Sequence, residues 1–160
     1  MLRIFTGVAA ALFITFSTAI AGTVKPRDGW VVIDTHYAFS ALVERVEAAV
    51  KAEKMGLVTS ASASEGAKTA GVVIPGNRVI GVFRNDFARR MLNASVSAGI
   101  EAPIRFYVTE NSDGTATLSY KKPGTVFAPY LDEGKDELRI LALELDGIFV
   151  KIADQATHEK

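Results

Sequence analysis

Two segments in the second half of the chain alternate apolar and polar side chains with the two-residue period of a β-strand that buries one face. In residues 104–109, isoleucine, phenylalanine and valine alternate with arginine, tyrosine and threonine. In residues 116–121, alanine, leucine and tyrosine alternate with threonine, serine and lysine. The dipeptide Asp113-Gly114 between the two segments is typical of a tight turn. The pattern therefore predicts an antiparallel hairpin.

Three further segments have the composition of strands. Residues 30–37 are rich in β-branched and aromatic side chains, which favours a strand. Residues 78–83 form a nearly continuous apolar run, which is typical of a central strand. Residues 57–62 are less bulky and predict a weaker strand. Together with the hairpin, these segments predict five strands.

Apolar residues at helical spacing predict two long helices. The first follows Ser40, a good N-cap residue, and ends before Gly56, which suits the C′ position. The second begins near Asp136 and ends in the polar residues 154–160. Each has one apolar face, so both are expected to pack on a sheet.

Shorter elements join the strands. Residues 64–71 predict one or two helical turns, and residues 86–94 predict a short helix capped by Asn85 or Asp86. Residues 124–131 are too apolar for a solvated loop. We expect them to fold back over a sheet edge or over the mouth of a cavity.

The predicted order is strand, helix, strand, strand, short helix, strand, strand, helix. Two long amphipathic helices need an apolar sheet face to cover, and the hairpin makes much of that sheet antiparallel. The sequence therefore predicts an α+β fold with a single mostly antiparallel sheet and its helices mainly on one face.

The N-terminus has the pattern of a secretory signal peptide. Arg3 precedes an apolar run over residues 4–16, and the segment ends in the small-x-small motif Ala19-Ile20-Ala21. We expect cleavage after Ala21 and a periplasmic or secreted protein. A retained membrane anchor is the alternative. The apolar run is shorter than the ~20 residues that span a bilayer, so we expect no stable membrane anchor after cleavage.

Cleavage of residues 1–21 leaves 139 of the 160 residues, enough for one domain with its own hydrophobic core. We place an N-terminal leader at residues 22–29, the domain at 30–155 and a polar tail at 156–160. The mature chain has 17 basic and 18 acidic residues, a formal charge of −1. Nucleic-acid binding requires a concentrated positive surface, so we expect no nucleic-acid partner.

The chain lacks the residue sets of common catalytic and metal sites. It contains no cysteine, which excludes thiol chemistry, and its histidines are His36 in a predicted strand and His158 in the tail. Zinc sites need three or four converging ligands, and no serine lies in a Gly-x-Ser-x-Gly motif. The spacing of Gly71, Gly76 and Gly81 fits no nucleotide-binding loop. We therefore assign no catalytic residue, no metal and no cofactor.

Basic residues form the most concentrated polar feature of the sequence; they are Arg78, Arg84, Arg89, Arg90 and Arg105. Arg84 ends a predicted strand at the N-terminus of a predicted helix, where backbone N–H groups and the helix dipole favour an anion. Arg84, Asn85 and Arg105 are therefore candidate ligand-binding residues. The alternative is a solvated face in which Arg89 and Arg90 pair with nearby acids and Asn85 serves as an N-cap.

Four aromatic residues are candidates to line a pocket between the curved sheet and the C-terminal helix: Tyr107, Tyr120, Phe127 and Tyr130. A sheet gripped by a helix often leaves such a cavity. The alternative is that these rings pack in the core or in an interface.

Residues from about 36 to 130 resemble the DUF302 family, a domain of unknown function. The motifs that carry the resemblance are Ala70-Gly71 followed by Pro75, the strand 79–83 ending at Asn85, Pro103–Val108, Asp113-Gly114, Ser119-Tyr120 and Pro123. Arg84 and Asp86 stand where the family usually has Gly and Pro, and Ala102 stands where Leu is usual. The resemblance implies a fold similar to the TATA-binding-protein type, a β-α-β4-α topology in which a long helix crosses a curved antiparallel sheet. It implies no established activity.

The export signal, the aromatic set and the missing catalytic residues together favour a non-enzymatic domain. We interpret the chain as a module that binds a small apolar or anionic ligand, or a protein partner. The alternative is a structural homodimer that pairs through a sheet face or edge. An enzyme of unrecognised type is a third interpretation, for which the sequence offers no acid–base pair.

Overall fold

The computed structural model describes residues 24–158, in which five strands form one antiparallel sheet. The strands are β1 (Trp30–Ala38), β2 (Gly56–Ala61), β3 (Asn77–Phe83), β4 (Ile104–Glu110) and β5 (Thr115–Lys121). The first strand pairs with the last, so the order across the sheet is β1-β5-β4-β3-β2. β4 and β5 form the predicted hairpin, with Phe106 opposite Tyr120. The predicted signal peptide lies outside the described residues.

Five α-helices connect and cover the strands: α1 (Phe39–Ala52), α2 (Ala63–Thr69), α3 (Asn85–Ala94), α4 (Pro123–Phe127) and α5 (Leu131–Thr157). Short 3-10 turns at Ser97–Glu101 and Ala128–Tyr130 precede β4 and α5. The predicted α+β fold, with one antiparallel sheet and helices packed on it, is confirmed. Within residues 24–158, no helix has both the length and the apolar character needed to cross a bilayer.

The core lies between one face of the sheet and the pair α1 and α5. The rings of Phe106 and Phe149 stack with their centroids 4.3 Å apart, and the Tyr120 ring meets them edge-on at 5.2 and 5.3 Å. Leu42 and Val46 from α1 are fully buried in the same cluster. The apolar positions of the hairpin therefore face the helices, as their alternation predicts.

The structure corrects the expected ends of α1. The helix begins at Phe39, directly after Ala38, and not after a cap at Ser40. Lys54, with φ 58°, takes the left-handed conformation after the helix. Gly56 is instead the first residue of β2, so its backbone is already paired with β3.

The apolar connection at residues 124–131 is helical and consists mainly of α4 and the 3-10 turn that follows it. Pro123 occupies the first turn of α4, where its missing N–H removes no helical hydrogen bond. Asp146 from α5 accepts a hydrogen bond from the Gly124 N–H at 3.1 Å. Phe127 is only 2% exposed, so burial of its ring holds the segment against α5.

The end of α5 is held by a tertiary contact. Arg45 from α1 donates from Nε to the Ala156 carbonyl at 2.6 Å and from Nη2 to the His158 carbonyl. The last carbonyls of a helix have no partner within the helix, so this guanidinium replaces the missing bonds. The helix therefore continues to Thr157, past the residue where the polar tail was expected to begin.

α5 contains a kink at Lys135, whose backbone angles of φ 47° and ψ −138° are not helical. The predicted start of the long helix near Asp136 is the first residue after this kink. Glycine adopts positive φ without the steric penalty of a side chain. We expect Lys135→Gly to raise the free energy of unfolding by about 1 kcal/mol, measured by urea denaturation.

Lys151→Gly is the matched control for this prediction. Lys151 is an exposed lysine in the regular part of the same helix. Glycine at such a position is expected to lower the free energy of unfolding by about 1 kcal/mol. A similar loss in both variants would contradict the backbone strain assigned to Lys135.

Candidate ligand-binding groove

The sheet face opposite α1 and α5, which we call the open face, carries three rows of side chains set by the strand register. The first row is Trp30, Lys121, Arg105, Gly81 and Thr59. The second row is Val32, Ser119, Tyr107, Val79 and Ala61. The third row is Asp34, Thr117, Thr109 and Asn77. The first row thus combines an aromatic ring with two cations, whereas the second is uncharged.

A groove of about 750 Å³ crosses the open face from the first row to the third. Its lining includes Trp30 and Arg105 of the first row, Tyr107 of the second and Asn77 of the third. Tyr120, from the covered face, also lines it. The volume lies in the range of small-molecule sites, about 300–1,000 Å³.

Positive charge surrounds one end of the groove. The Arg27 guanidinium lies 5.0 Å and the Lys121 ammonium 5.7 Å from the centre of the Trp30 ring, within cation–π distance. Arg105 is exposed, and it makes no ion pair with a residue of the described part of the chain. Glu101, the acid in the lining, accepts a hydrogen bond from the Tyr130 hydroxyl at 2.8 Å.

The other arginines of the predicted basic set are bound to acids or lie outside the groove. The ion pairs are Arg78–Glu65, Arg84–Asp86 and Arg90–Glu144. Hydrogen bonds to Glu144 raise the pKa of Arg90. Arg89 is exposed on α3 and has no ion pair within residues 24–158. Arg105 is therefore the arginine of the set that is available in the groove.

The anion site predicted at Arg84 and Asn85 already contains a carboxylate. Arg84 Nε donates to Asp86 Oδ1 at 2.8 Å, and this hydrogen bond lowers the pKa of Asp86. The same guanidinium lies 4.3 Å from the centre of the Phe87 ring. The predicted cap is also corrected: Arg84 is the N-cap of α3 without a side-chain hydrogen bond, and Asn85 is the first helical residue.

The four aromatic candidates do not surround one cavity, although Tyr107 and Tyr120 both line the groove. Tyr107 is half-buried on the open face, whereas Tyr120 lies in the core with 3% of its surface exposed. Phe127 is buried against α5, and Tyr130 binds Glu101 beside the groove. The space predicted between the sheet and α5 is filled, because Phe149 occupies it. The ligand-binding role of these residues stays a prediction.

Tyr120 carries a protonated hydroxyl at neutral pH. Burial raises the pKa of Tyr120 to about 12, and the negative charge of Asp146 adds to the shift. Tyr120 also lines the groove, although its ring packs in the core against Phe149.

A second pocket, lined by Arg84 and Phe127, lies between α3, α5 and the end of β3. It is apolar and has a volume of about 30 Å³, which is the space for about one water molecule. It is too small for an organic ligand. In the part of the chain that the structure describes, no cluster of three or more His, Cys, Asp or Glu residues is placed to hold a metal ion.

The sequence prediction did not include Trp30, Lys121 and Asn77. Alternation along β5 places Lys121 on the face opposite Tyr120 and on the same face as Arg105 and Tyr107. This pattern could have identified Lys121 from the sequence. Trp30 joins the groove because β1 pairs with β5, a contact that no local pattern reveals. Asn77 lies in a segment whose Pro-Gly-Asn sequence is typical of a turn, which masks its place at the start of β3.

The fold matches that of a solved structure. The crystal structure of an uncharacterized conserved DUF302 protein from Bacillus stearothermophilus superposes with a TM-score of 0.71 at 19% identity, over 81% of this chain and 99% of that chain. No curated protein sequence matches this chain. The family model for the domain of unknown function DUF302 matches residues 31–155. The chain therefore belongs to the DUF302 family.

Proposed function

We propose that the chain is an exported, non-enzymatic domain that binds a small organic ligand in the groove of the open face. The observation that supports this best is the exposed Arg105, without an ion pair to a described residue, beside Tyr107 in a groove of about 750 Å³. Small-molecule sites combine aromatic surface with a few polar groups that fix orientation. Export is supported by the N-terminal sequence pattern of residues 1–21.

The proposed site contains part of the predicted set. Arg105, Tyr107 and Tyr120 line the groove, and Trp30 and Lys121 join them. The other predicted residues do not line it; they are Arg84, Asn85, Phe127 and Tyr130. The site is therefore on the opposite side of the sheet from the pocket expected beside the C-terminal helix.

Native mass spectrometry of protein purified without a denaturing step tests the proposal. We expect a monomer that carries extra mass, and we expect Tyr107→Ala to remove that mass because the ring forms part of the groove lining. Val150→Ala is the control, since Val150 is 58% exposed on α5 and does not line the groove. A bound ligand also raises the melting temperature by mass action.

A homodimer that pairs through the open face is the alternative, and the same measurement distinguishes it. It would give a doubled mass without an adduct, and its stability would depend on protein concentration. Phe127 is too buried to probe such an interface, so Tyr107→Asp is the variant that should dissociate it. Both interpretations would be contradicted by a protein that is a monomer without extra mass and whose melting temperature is not raised by any small organic acid.

A further inference from the structure

We propose that the groove takes an amphiphilic organic anion, with its charged group at Lys121 and Arg105 and its apolar body lying across the second row of the open face towards Asn77. This inference rests on the proposed function and specifies the ligand class of the same site. It is supported by the two cations of the first row and by the uncharged character of the second row and of the groove end near Asn77.

The first row places two like charges side by side. Phe106 pairs with Tyr120, so Arg105 and Lys121 are the next facing positions of β4 and β5. Both side chains are exposed, and neither makes an ion pair with a residue in 24–158. Like charges directly opposite each other on neighbouring strands are destabilising. An anion bound between them would remove this repulsion.

The acids near the groove do not supply that anion. Glu101 lines the groove and accepts a hydrogen bond from the neutral Tyr130 hydroxyl, but it makes no ion pair with Arg105 or Lys121. Asp34 is in the third row on β1, where it accepts from Thr117 Oγ1 at 2.7 Å, and it does not line the groove. The groove lining therefore contains two cations, Arg105 and Lys121, against one acid, Glu101.

The other end of the groove offers apolar surface and no charge. Val79, Ala61 and Ala63 line it together with Asn77. The Asn77 amide is already engaged, because Oδ1 accepts from the Ala63 N–H at 2.9 Å and Nδ2 donates to the Pro75 carbonyl at 3.1 Å. This end therefore fits the apolar body of a ligand, and the contrast between the two ends sets the ligand's direction.

The groove also sets a length. Gly81 in the first row and Asn77 in the third are four residues apart on β3, which is about 13 Å at the rise of a strand. An extended decanoate chain is close to this length, and hexadecanoate is clearly longer. We therefore expect a medium-length acid to bind more tightly than a long one.

Isothermal titration calorimetry with decanoate, decanol and protonated decylamine tests the inference. We expect decanoate to bind at least about tenfold more tightly than decanol, and decylamine not to bind. Arg105→Gln should reduce the decanoate affinity at least about threefold towards that of decanol, with Lys121 retaining part of the preference. Arg89→Gln is the matched control, because Arg89 is also an exposed arginine without an ion pair to a described residue but lies on α3; it should leave the affinity unchanged.

The melting temperature of the unliganded variants gives an independent readout. Arg105→Gln should keep or raise it, because the variant removes a like-charge contact. A clear decrease would mean that Arg105 has a stabilising role within the protein, and that outcome would overturn the inference. Two further probes characterise the apolar body of the ligand. Naphthoate tests whether the groove prefers an aromatic body to the acyl chain of decanoate, and hexadecanoate tests whether a chain longer than the groove binds more weakly.

The outcomes separate this inference from the proposed function. If decanol binds as tightly as decanoate and Arg105→Gln changes neither, the ligand is not an anion, although binding in the groove stands. If no probe binds and Tyr107→Ala leaves any native adduct in place, the groove is not the ligand site and the proposed function fails with it.

Discussion

Replacing Phe149 by alanine is expected to lower the free energy of unfolding by about 3–5 kcal/mol. The side chain is fully buried, stacks on Phe106 at 4.3 Å and meets the edge of Tyr120 at 5.3 Å. Its removal would leave a cavity at the point where α5 contacts both strands of the central hairpin. Urea denaturation followed by circular dichroism measures the change.

The neighbouring position gives a matched control for this prediction. Val150 follows Phe149 in the same helix but is 58% exposed, so Val150→Ala should change the free energy of unfolding by less than about 0.5 kcal/mol. Equal losses in the two variants would mean that α5 contributes through its helical backbone rather than through the ring. The packing described for the core would then be wrong.

Gly81→Ala is expected to lower the free energy of unfolding by about 1–3 kcal/mol. A Cβ atom at this position would overlap Thr59 Oγ1 and come within 2.9 Å of Pro103 Cγ. β3 is paired on both sides, so its backbone has little room to move away. Thermal and urea denaturation both measure this loss.

Two further variants identify the cause of the loss. Thr59→Ala removes the overlapping hydroxyl, so the double variant should recover part of the stability lost by Gly81→Ala. Gly147→Ala places a methyl group in open space on α5 and should raise the free energy of unfolding by about 0.5–1 kcal/mol. A double variant no more stable than Gly81→Ala would rule out the contact with Thr59 as the cause.

The hairpin shows what local pattern predicts well. Alternation alone placed Arg105 and Tyr107 on one face and Tyr120 on the other, and the register confirms this. Tyr107 and Tyr120 nevertheless both line the groove, although they lie on opposite faces of the sheet. Alternation therefore predicted the face of each strand residue, but not which residues share the groove.

The parts that sequence did not predict depend on contacts between distant segments. Gly124, Thr125 and Val126 are poor helix formers, yet they lie in α4 because Phe127 is buried and Asp146 binds the Gly124 N–H. Trp30 faces Lys121 through the pairing of β1 with β5. Such long-range pairings override local propensity.

The pairing of the first strand with the last also determines when the domain can fold. β1 is synthesised first, but it cannot pair until β5 has been synthesised. Arg45 of α1 likewise cannot donate to its carbonyl partners until the last turn of α5 is present. The entropy cost of closing such a long loop comes before the stabilising contacts between its ends have formed. This order slows folding. A nascent chain that ends before Thr115 has no partner strand for β1, so we expect the domain to fold only after β5 and α5 have been synthesised.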